Sequence, residues 1–113
     1  MPTLCELAST EAADTDGFSI VSTMLGKAGQ KQHEFLYWKY HSQGTRQAVR
    51  FGNWKAVRND VKKNPNSTPE LYDLATDPAE KNNVAAEHPD LAAKAAAYMK
   101  ESHKPRWEPK WNF

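Results

Sequence analysis

The 113-residue sequence lacks most of the features that would place it in a specialised class of protein. The chain has a single cysteine, Cys5, so it can form no internal disulfide, and Cys5 has no second cysteine with which to bind zinc. There is no apolar run of about 18 residues, which excludes a transmembrane helix. No basic segment followed by an apolar stretch opens the chain, so we expect no signal peptide within it. A net charge of only +1 argues weakly against a dedicated nucleic-acid binder.

The common catalytic motifs are also missing. The sequence has no Gly-x-x-x-x-Gly-Lys phosphate loop, no Gly-x-Ser-x-Gly nucleophile elbow and no His-Glu-x-x-His zinc helix. Its four histidines are scattered, at His33, His41, His88 and His103. We therefore predict neither catalytic residues nor metal ligands in this chain, and no cofactor of its own.

The sequence is rich in aromatic residues, which can form a hydrophobic core. Four Trp, four Tyr and four Phe supply large apolar groups to a chain whose length fits one domain. Charge is segregated: residues 44–63 carry a net charge of +5, and residues 64–90 carry −5. The simplest interpretation is that the two blocks lie side by side and neutralise each other. The alternative is that the basic block faces an anion.

The spacing of hydrophobic residues predicts two short helical segments within residues 1–32. Residues 2–9 begin with Pro2 and place Leu4 and Leu7 on one face, which favours one or two helical turns. A second short helix is predicted over about 19–25, because Gly26 suits the position after a helix end. The rest of 1–32 is predicted to be loop and linker.

Residues 33–103 carry the pattern of a domain that combines strands with a helix. The aromatic stretch 33–41, the alternating stretch 46–51, the stretch 54–58 after a Gly-Asn turn, and residues 70–74 predict four antiparallel strands. Residues 91–102 are alanine-rich and helical, with Pro89 at the start. The fold class is therefore α+β: a small antiparallel sheet of about four strands packed by a C-terminal helix, after a short N-terminal helical segment. Residues 104–113 are predicted to be an extended or disordered aromatic tail.

The predicted sheet is both basic and aromatic, which suggests a second class of function. Stacking rings and cations on a sheet can bind single-stranded nucleic acid or an acidic glycan. The candidate residues for such a free-standing binding module are Trp38, Tyr40, Arg46, Arg50, Trp54, Lys55 and Arg58. The adjacent acidic block argues against a polyanion.

Residues 70–84 carry the most specific motif of the chain. They read Glu-Leu-Tyr-Asp-Leu, then Asp77-Pro78, Glu80 and Asn82-Asn83-Val84. This order resembles the E-L-Y-D-L-x-x-D-P-x-E-x-x-N-x-A signature near the C-terminus of arylsulfatase-type sulfatases. Weaker matches precede it in the family's order: Pro-Thr-Leu at 2–4 with Glu-Leu-Ala at 6–8, Asp16-Gly17-x-Ser19 with Leu25-Gly26, and the hairpin at 47–58.

The motif also has a purely structural interpretation. Its apolar residues pack a strand, and Asp77-Pro78 ends that strand. We expect Glu80 to bond back to freed backbone amides, and Asn82 or Asn83 to adopt the left-handed conformation. These roles would hold the fold together rather than perform catalysis.

The resemblance implies the C-terminal accessory domain of a sulfate-ester hydrolase, without the N-terminal catalytic domain and inactive alone. Such enzymes use a formylglycine made in a C/S-x-P/A-x-R motif beside a calcium ion. Cys5 is followed by Glu-Leu-Ala-Ser, which departs from that motif. Calcium and formylglycine are therefore expected only in the missing domain. If the full-length protein follows the family, it is periplasmic or secreted.

The partners implied by the resemblance are the catalytic domain and a sulfated carbohydrate or aryl sulfate substrate, with no membrane. The turn at 40–46 is the part of this chain best suited to reach a substrate pocket. Its candidate substrate-binding residues are His41, Gln43 and Arg46. Arg46 could contact a sulfate or uronate, and His41 could bond a sugar hydroxyl. The alternative is that this turn is a solvated loop.

Overall fold

The computed structural model describes residues 1–15, 17–42, 44–104 and 108–109. Within these residues the elements are α1 (Pro2–Leu7), α2 (Val21–Met24), β1 (Leu36–Tyr40), β2 (Arg46–Phe51), β3 (Trp54–Arg58), β4 (Glu70–Asp73) and α3 (Pro89–Ser102). The predicted α+β class is confirmed: an antiparallel sheet of four strands, a C-terminal helix that packs on it, and short N-terminal helices. None of the helices in the described part of the chain is both long and apolar enough to cross a membrane.

The chain divides into two compact units, Met1–His33 and Glu34–Phe113. In the first unit, polar contacts join the segments of α1 and α2. The Thr3 hydroxyl oxygen accepts a hydrogen bond from the Ile20 amide at 3.1 Å, and the Ser19 hydroxyl donates to the Glu6 carboxylate. The helix predicted over 19–25 is shorter, and Gly26 follows it with a φ of 66°, as expected after a helix end.

The four strands of the second unit form a meander in the order β1-β2-β3-β4, with β1 and β4 at the edges. Tyr37 lies opposite Val49, Val49 opposite Ala56, and Ala56 opposite Leu71. Because side chains alternate along a strand, this register fixes two faces. We call the face that packs on α3 the helix face, and the other one the open face.

The helix face carries the core of the second unit. Its buried members from the sheet and α3 are Val49, Phe51, Ala56, Leu71, Ala95, Tyr98 and Met99. Phe35 stacks on Tyr98 with ring centroids 4.1 Å apart, and the Tyr98 hydroxyl donates to Glu34 at 2.8 Å. These contacts attach the segment before β1 to the helix.

Helix α3 begins as its sequence predicts. Pro89 occupies the first turn, where its missing N–H costs nothing, and Asp90 lies near the positive end of the helix dipole. His88 is the N-cap residue, and its ring contacts Trp54 edge-on at 5.0 Å. The buried stripe includes Ala92, whereas the apolar residue before it, Leu91, is only half-buried.

The connector after β4 differs from its predicted roles. Asp77, rather than Glu80, accepts hydrogen bonds from backbone amides, those of Lys81 at 3.1 Å and Asn82 at 2.8 Å. These bonds lower the pKa of the Asp77 carboxyl. Glu80 itself adopts the left-handed conformation, with a φ of 55°, which was predicted for Asn82 or Asn83.

Asn83 has a different role from the one predicted. Its Oδ1 accepts from the amides of Leu71 at 3.1 Å and Ala85 at 3.0 Å, and the Leu71 carbonyl in turn accepts from the Val84 amide at 2.9 Å. The Asn83 side chain thus accepts a hydrogen bond from the outer edge of β4, as a neighbouring strand would do. Of the predicted tail, 104–113, most residues lie outside those that the structure describes.

Candidate functional site

The predicted substrate-binding residues lie where β1 turns into β2. Arg46 is exposed at the start of β2, on the open face, and pairs across the strands with Tyr40. His41 is half-buried, and both of its ring nitrogens are shielded from solvent. Gln43 lies outside the described residues. The structure therefore exposes the Arg46 side chain and does not expose the His41 nitrogens.

This turn is held firmly against the loop that follows β3. Gly44 has a φ of 94°, and any side chain there would collide with the Asp60 carboxylate. The Thr45 carbonyl accepts from the Val61 amide at 3.0 Å, and its hydroxyl accepts from the Lys62 amide at 2.9 Å. The residue directly before Arg46 is therefore tied by two hydrogen bonds to the loop after β3.

The open face is the main exposed surface feature of the second unit. On β1, Leu36, Trp38 and Tyr40 are exposed by 42%, 48% and 53%. Arg46 and Arg50 are exposed on the neighbouring strand. Three large apolar side chains in one row, on a strand at the edge of the sheet, form a surface that proteins usually cover.

A cavity of about 390 Å³ lies on the same face. It is lined by Trp38, Arg50, Lys55, Leu74, Pro78 and Glu80. The Lys55 ammonium forms an ion pair with Glu80 at 2.5 Å, so Glu80 helps to hold the wall of this cavity. The aromatic ring, the exposed Arg50 guanidinium and this ion pair give the cavity a mixed apolar and charged lining.

At the far side of the open face, Tyr72 is held in its neutral form. Desolvation, followed by the hydrogen bond that its hydroxyl donates to Glu70 at 2.8 Å, raises the pKa of Tyr72 to about 12. The nearby carboxylates of Glu80 and Asp77 act in the same direction. Tyr72 is therefore neutral at physiological pH, and its hydroxyl is a hydrogen-bond donor.

The seven residues of the predicted binding platform do not share one face. Trp54 and Arg58 lie on the helix face, because they alternate with Lys55 and Val57 and align with buried Ala56. Arg58 donates to the carbonyls of Ser67, at 3.0 Å, and Pro65. The open face retains Trp38, Tyr40, Arg46, Arg50 and Lys55.

The two charge blocks neutralise each other only at one point. Within the described residues, Lys55–Glu80 is the ion pair that joins them. The basic side chain of Arg58 instead binds backbone carbonyls on the opposite face. No group of three or more His, Cys, Asp or Glu side chains in the described ranges is arranged to hold a metal ion.

Comparison with known proteins connects this fold to sulfatases. The chain is 36% identical over 69 residues to an N-acetylgalactosamine-6-O-sulfatase of Bacteroides thetaiotaomicron, a match that covers 61% of this chain and 12% of that enzyme. A putative sulfatase from the same species, with a solved structure, is 28% identical with a TM-score of 0.64, over 96% of this chain and 26% of its own. No family model matches the chain.

A further solved structure shows the same fold. It is a protein in complex with its substrate, D-glucosamine-2-N,6-O-disulfate, with 23% identity and a TM-score of 0.68 over 89% of this chain and 22% of that chain. The resemblance to sulfatases is therefore confirmed, and this chain spans about an eighth to a quarter of the length of the proteins it matches.

Proposed function

We propose that this chain is the C-terminal accessory domain of a sulfate-ester hydrolase and that it docks on the rest of that enzyme through its open face. The supporting observation is the exposed row of Leu36, Trp38 and Tyr40 on an edge strand. Burying a large apolar side chain contributes about 1.5–3 kcal/mol, so covering this row would stabilise an assembly considerably. This chain matches only a small part of its relatives, so the partner that we propose to cover the row is the remainder of a sulfatase.

The chemistry of sulfate-ester cleavage belongs, in this proposal, to that remainder. Formylglycine and calcium would both lie there, as the resemblance implies, since Cys5 lacks the required motif. A sulfated glycan is the substrate class we favour, because the named relative acts on a sulfated amino sugar and another was solved with one.

Arg46 is the residue of this chain that we propose to reach the substrate, together with Gln43 from the same turn. It is exposed beside the docking row, next to a residue that is hydrogen-bonded to the loop after β3. A guanidinium binds sulfate or carboxylate through two parallel hydrogen bonds. His41, whose nitrogens are shielded, would position the turn rather than contact a sugar.

The experiment compares two variants in the full-length enzyme that the proposal requires. Arg46→Ala should raise KM for the sulfated substrate about tenfold and leave kcat within about twofold, because a ground-state contact to the anion is lost. Trp38→Ala should lower the stability of the full-length enzyme by about 2–4 kcal/mol in denaturant titration.

The same two variants in the isolated 113-residue chain provide the control. Trp38 is about half exposed there, so Trp38→Ala should cost less than about 1 kcal/mol. Equal costs in both proteins would contradict docking through the open face. Unchanged kinetics for Arg46→Ala would contradict the pocket role alone and leave the docking proposal standing.

A further inference from the structure

A second cavity lies on the opposite side of the sheet, between β2, β3, the loop after β3 and the end of α3. We call it the helix-side cavity, and its volume is about 490 Å³. It is lined by Gln47, Arg58, Val61, Pro65, Asn66, Ser67, Ala96, Met99, Lys100 and His103. A single sugar ring fits within a space of this size, because ligand pockets begin at about 300 Å³.

The charge of this lining has one sign. Arg58 and Lys100 are cations, and none of the described lining residues is an acid. The last carbonyl groups of α3 oppose them with a partial charge equivalent to about half a unit. That opposing charge is smaller than the two cations combined, so the cavity has a net preference for an anion.

Arg58 is already fixed in a position to meet such an anion. Its Nε donates to the Ser67 carbonyl at 3.0 Å, and a terminal nitrogen lies 3.4 Å from Oε1 of Gln47, which is only 4% exposed. Its other terminal nitrogen donates to the Pro65 carbonyl. A guanidinium has five N–H donors, so two remain once these three bonds are made.

Two buried polar atoms at the cavity have no hydrogen-bond partner among the described residues. They are the Ser67 hydroxyl oxygen and Nδ1 of His103. Leaving such groups unpaired costs free energy, and native proteins rarely tolerate it without a water or ligand. Ser67, His103 and Arg58 all line one cavity, whose wall is apolar at Met99 and Ala96. The two unpaired atoms are themselves shielded from solvent.

From this arrangement we propose that the helix-side cavity binds an acidic monosaccharide unit, one sugar ring that carries a sulfate or carboxylate group. Arg58 and Lys100 bind the anionic group. Asn66 hydrogen-bonds to a hydroxyl, and the apolar wall packs against the C–H face of the ring. This site lies on the helix face and leaves the open face available for docking, so it is independent of the function proposed above.

His103 gives a direct spectroscopic measure of binding. Desolvation, and then the nearby charge of Lys39, lowers the pKa of its imidazole below the ordinary value of 6.5. Among the described residues, Lys39 from β1 acts on it electrostatically, and Arg58 from β3 and Lys100 from α3 line the same cavity. An anion bound among these cations stabilises the imidazolium, so binding raises the pKa of His103.

The test is an NMR titration of the isotopically labelled 113-residue chain with glucose 6-sulfate, glucuronate and glucose. We expect one or both acidic sugars to bind with a millimolar Kd, to shift the amide signals of Asn66 and Ser67, and to raise the pKa of His103. Glucose should do none of these. The acidic sugar that binds more tightly identifies the preferred anionic group.

Two helix variants sharpen the result. Lys100→Ala should weaken binding of the acidic sugar about fivefold, because it removes one of the two lining cations. Lys94→Ala, with the same charge change on the same helix but outside the cavity lining, should leave the Kd within twofold. Both substitutions replace an exposed residue, so the fold should be retained.

Three outcomes of the titration would overturn the proposal. They are the absence of binding by both acidic sugars up to about 10-fold above the expected Kd range, equal binding of glucose, and signal shifts confined to the open face. Equal effects of Lys100→Ala and Lys94→Ala would also overturn it, since they would reflect net charge rather than a site. None of these outcomes affects the docking proposal, which concerns the other face.

Discussion

Replacing Leu71 by alanine should destabilise this chain by about 2–5 kcal/mol, which would remove a large part of its stability. Leu71 has no exposed surface and lies on the helix face, opposite Ala56 in the sheet. The truncated side chain would leave a cavity that the surrounding strands and helix cannot readily fill. Equilibrium unfolding in urea, followed by far-UV circular dichroism, measures the change.

Leu36→Ala is the matched control, because it removes the same atoms from the same sheet. Leu36 is 42% exposed on the open face, so its loss should cost less than about 1 kcal/mol in this chain. Similar costs for Leu71→Ala and Leu36→Ala would show that the two faces are not distinguished by burial. That result would contradict the assignment of the core to the helix face.

Replacing Asn83 by alanine should cost about 1–3 kcal/mol, although the residue itself is exposed. The substitution removes the oxygen that accepts from the amide of fully buried Leu71 at 3.1 Å. That amide would be left inside the protein without a partner. Chemical denaturation measures the loss, and exchange of the Leu71 amide hydrogen should become faster.

Asn83→Asp and Asn82→Ala are the controls for this prediction. Aspartate keeps an oxygen acceptor in the same place, so Asn83→Asp should recover most of the stability. At the neighbouring position, the amide of Asn82 donates to Asp77, a bond that alanine preserves. A loss for Asn82→Ala as large as that for Asn83→Ala would contradict the specific role of the Asn83 oxygen.

The sheet and the last helix were predictable from sequence because their patterns are local. Gln47, Val49 and Phe51 are all buried on the helix face, and they alternate with two exposed arginines and half-buried Ala48. The Gly-Asn turn and the proline at the start of α3 mark element boundaries by their own backbone preferences. Such signals need no knowledge of what lies across the fold.

Side-chain roles that depend on distant partners were predicted less well. Trp54 and Arg58 were grouped with the exposed platform by composition, but the register with Val49 places them on the helix face. Asp77 accepts the backbone hydrogen bonds predicted for Glu80, whereas Glu80 forms an ion pair with Lys55, 25 residues away in sequence. The alternation of side chains along residues 54–58 is enough to predict that Trp54 and Lys55 lie on opposite faces of the sheet.

The helix-side cavity had no sequence signal at all. Its lining comes from β2, β3, the following loop and α3, and residues such as Gln47 and His103 lie far apart along the chain. Only folding brings these elements together. In contrast, the exposed row on β1 follows from alternation once the buried face of β2 is known.

Docking of the open face on the catalytic part of a sulfatase can be measured directly as binding between two separate polypeptides. The polypeptide encoded immediately upstream of Met1 is expressed separately and titrated with this chain in a calorimeter. We expect a sulfatase region with a C/S-x-P/A-x-R motif that binds the chain at micromolar concentration or tighter. Trp38→Ala should weaken binding at least about tenfold, equivalent to about 1.4 kcal/mol, while Lys94→Ala on α3 should bind as the unaltered chain does. A missing sulfatase region, no association, or equal binding by the two variants would contradict it.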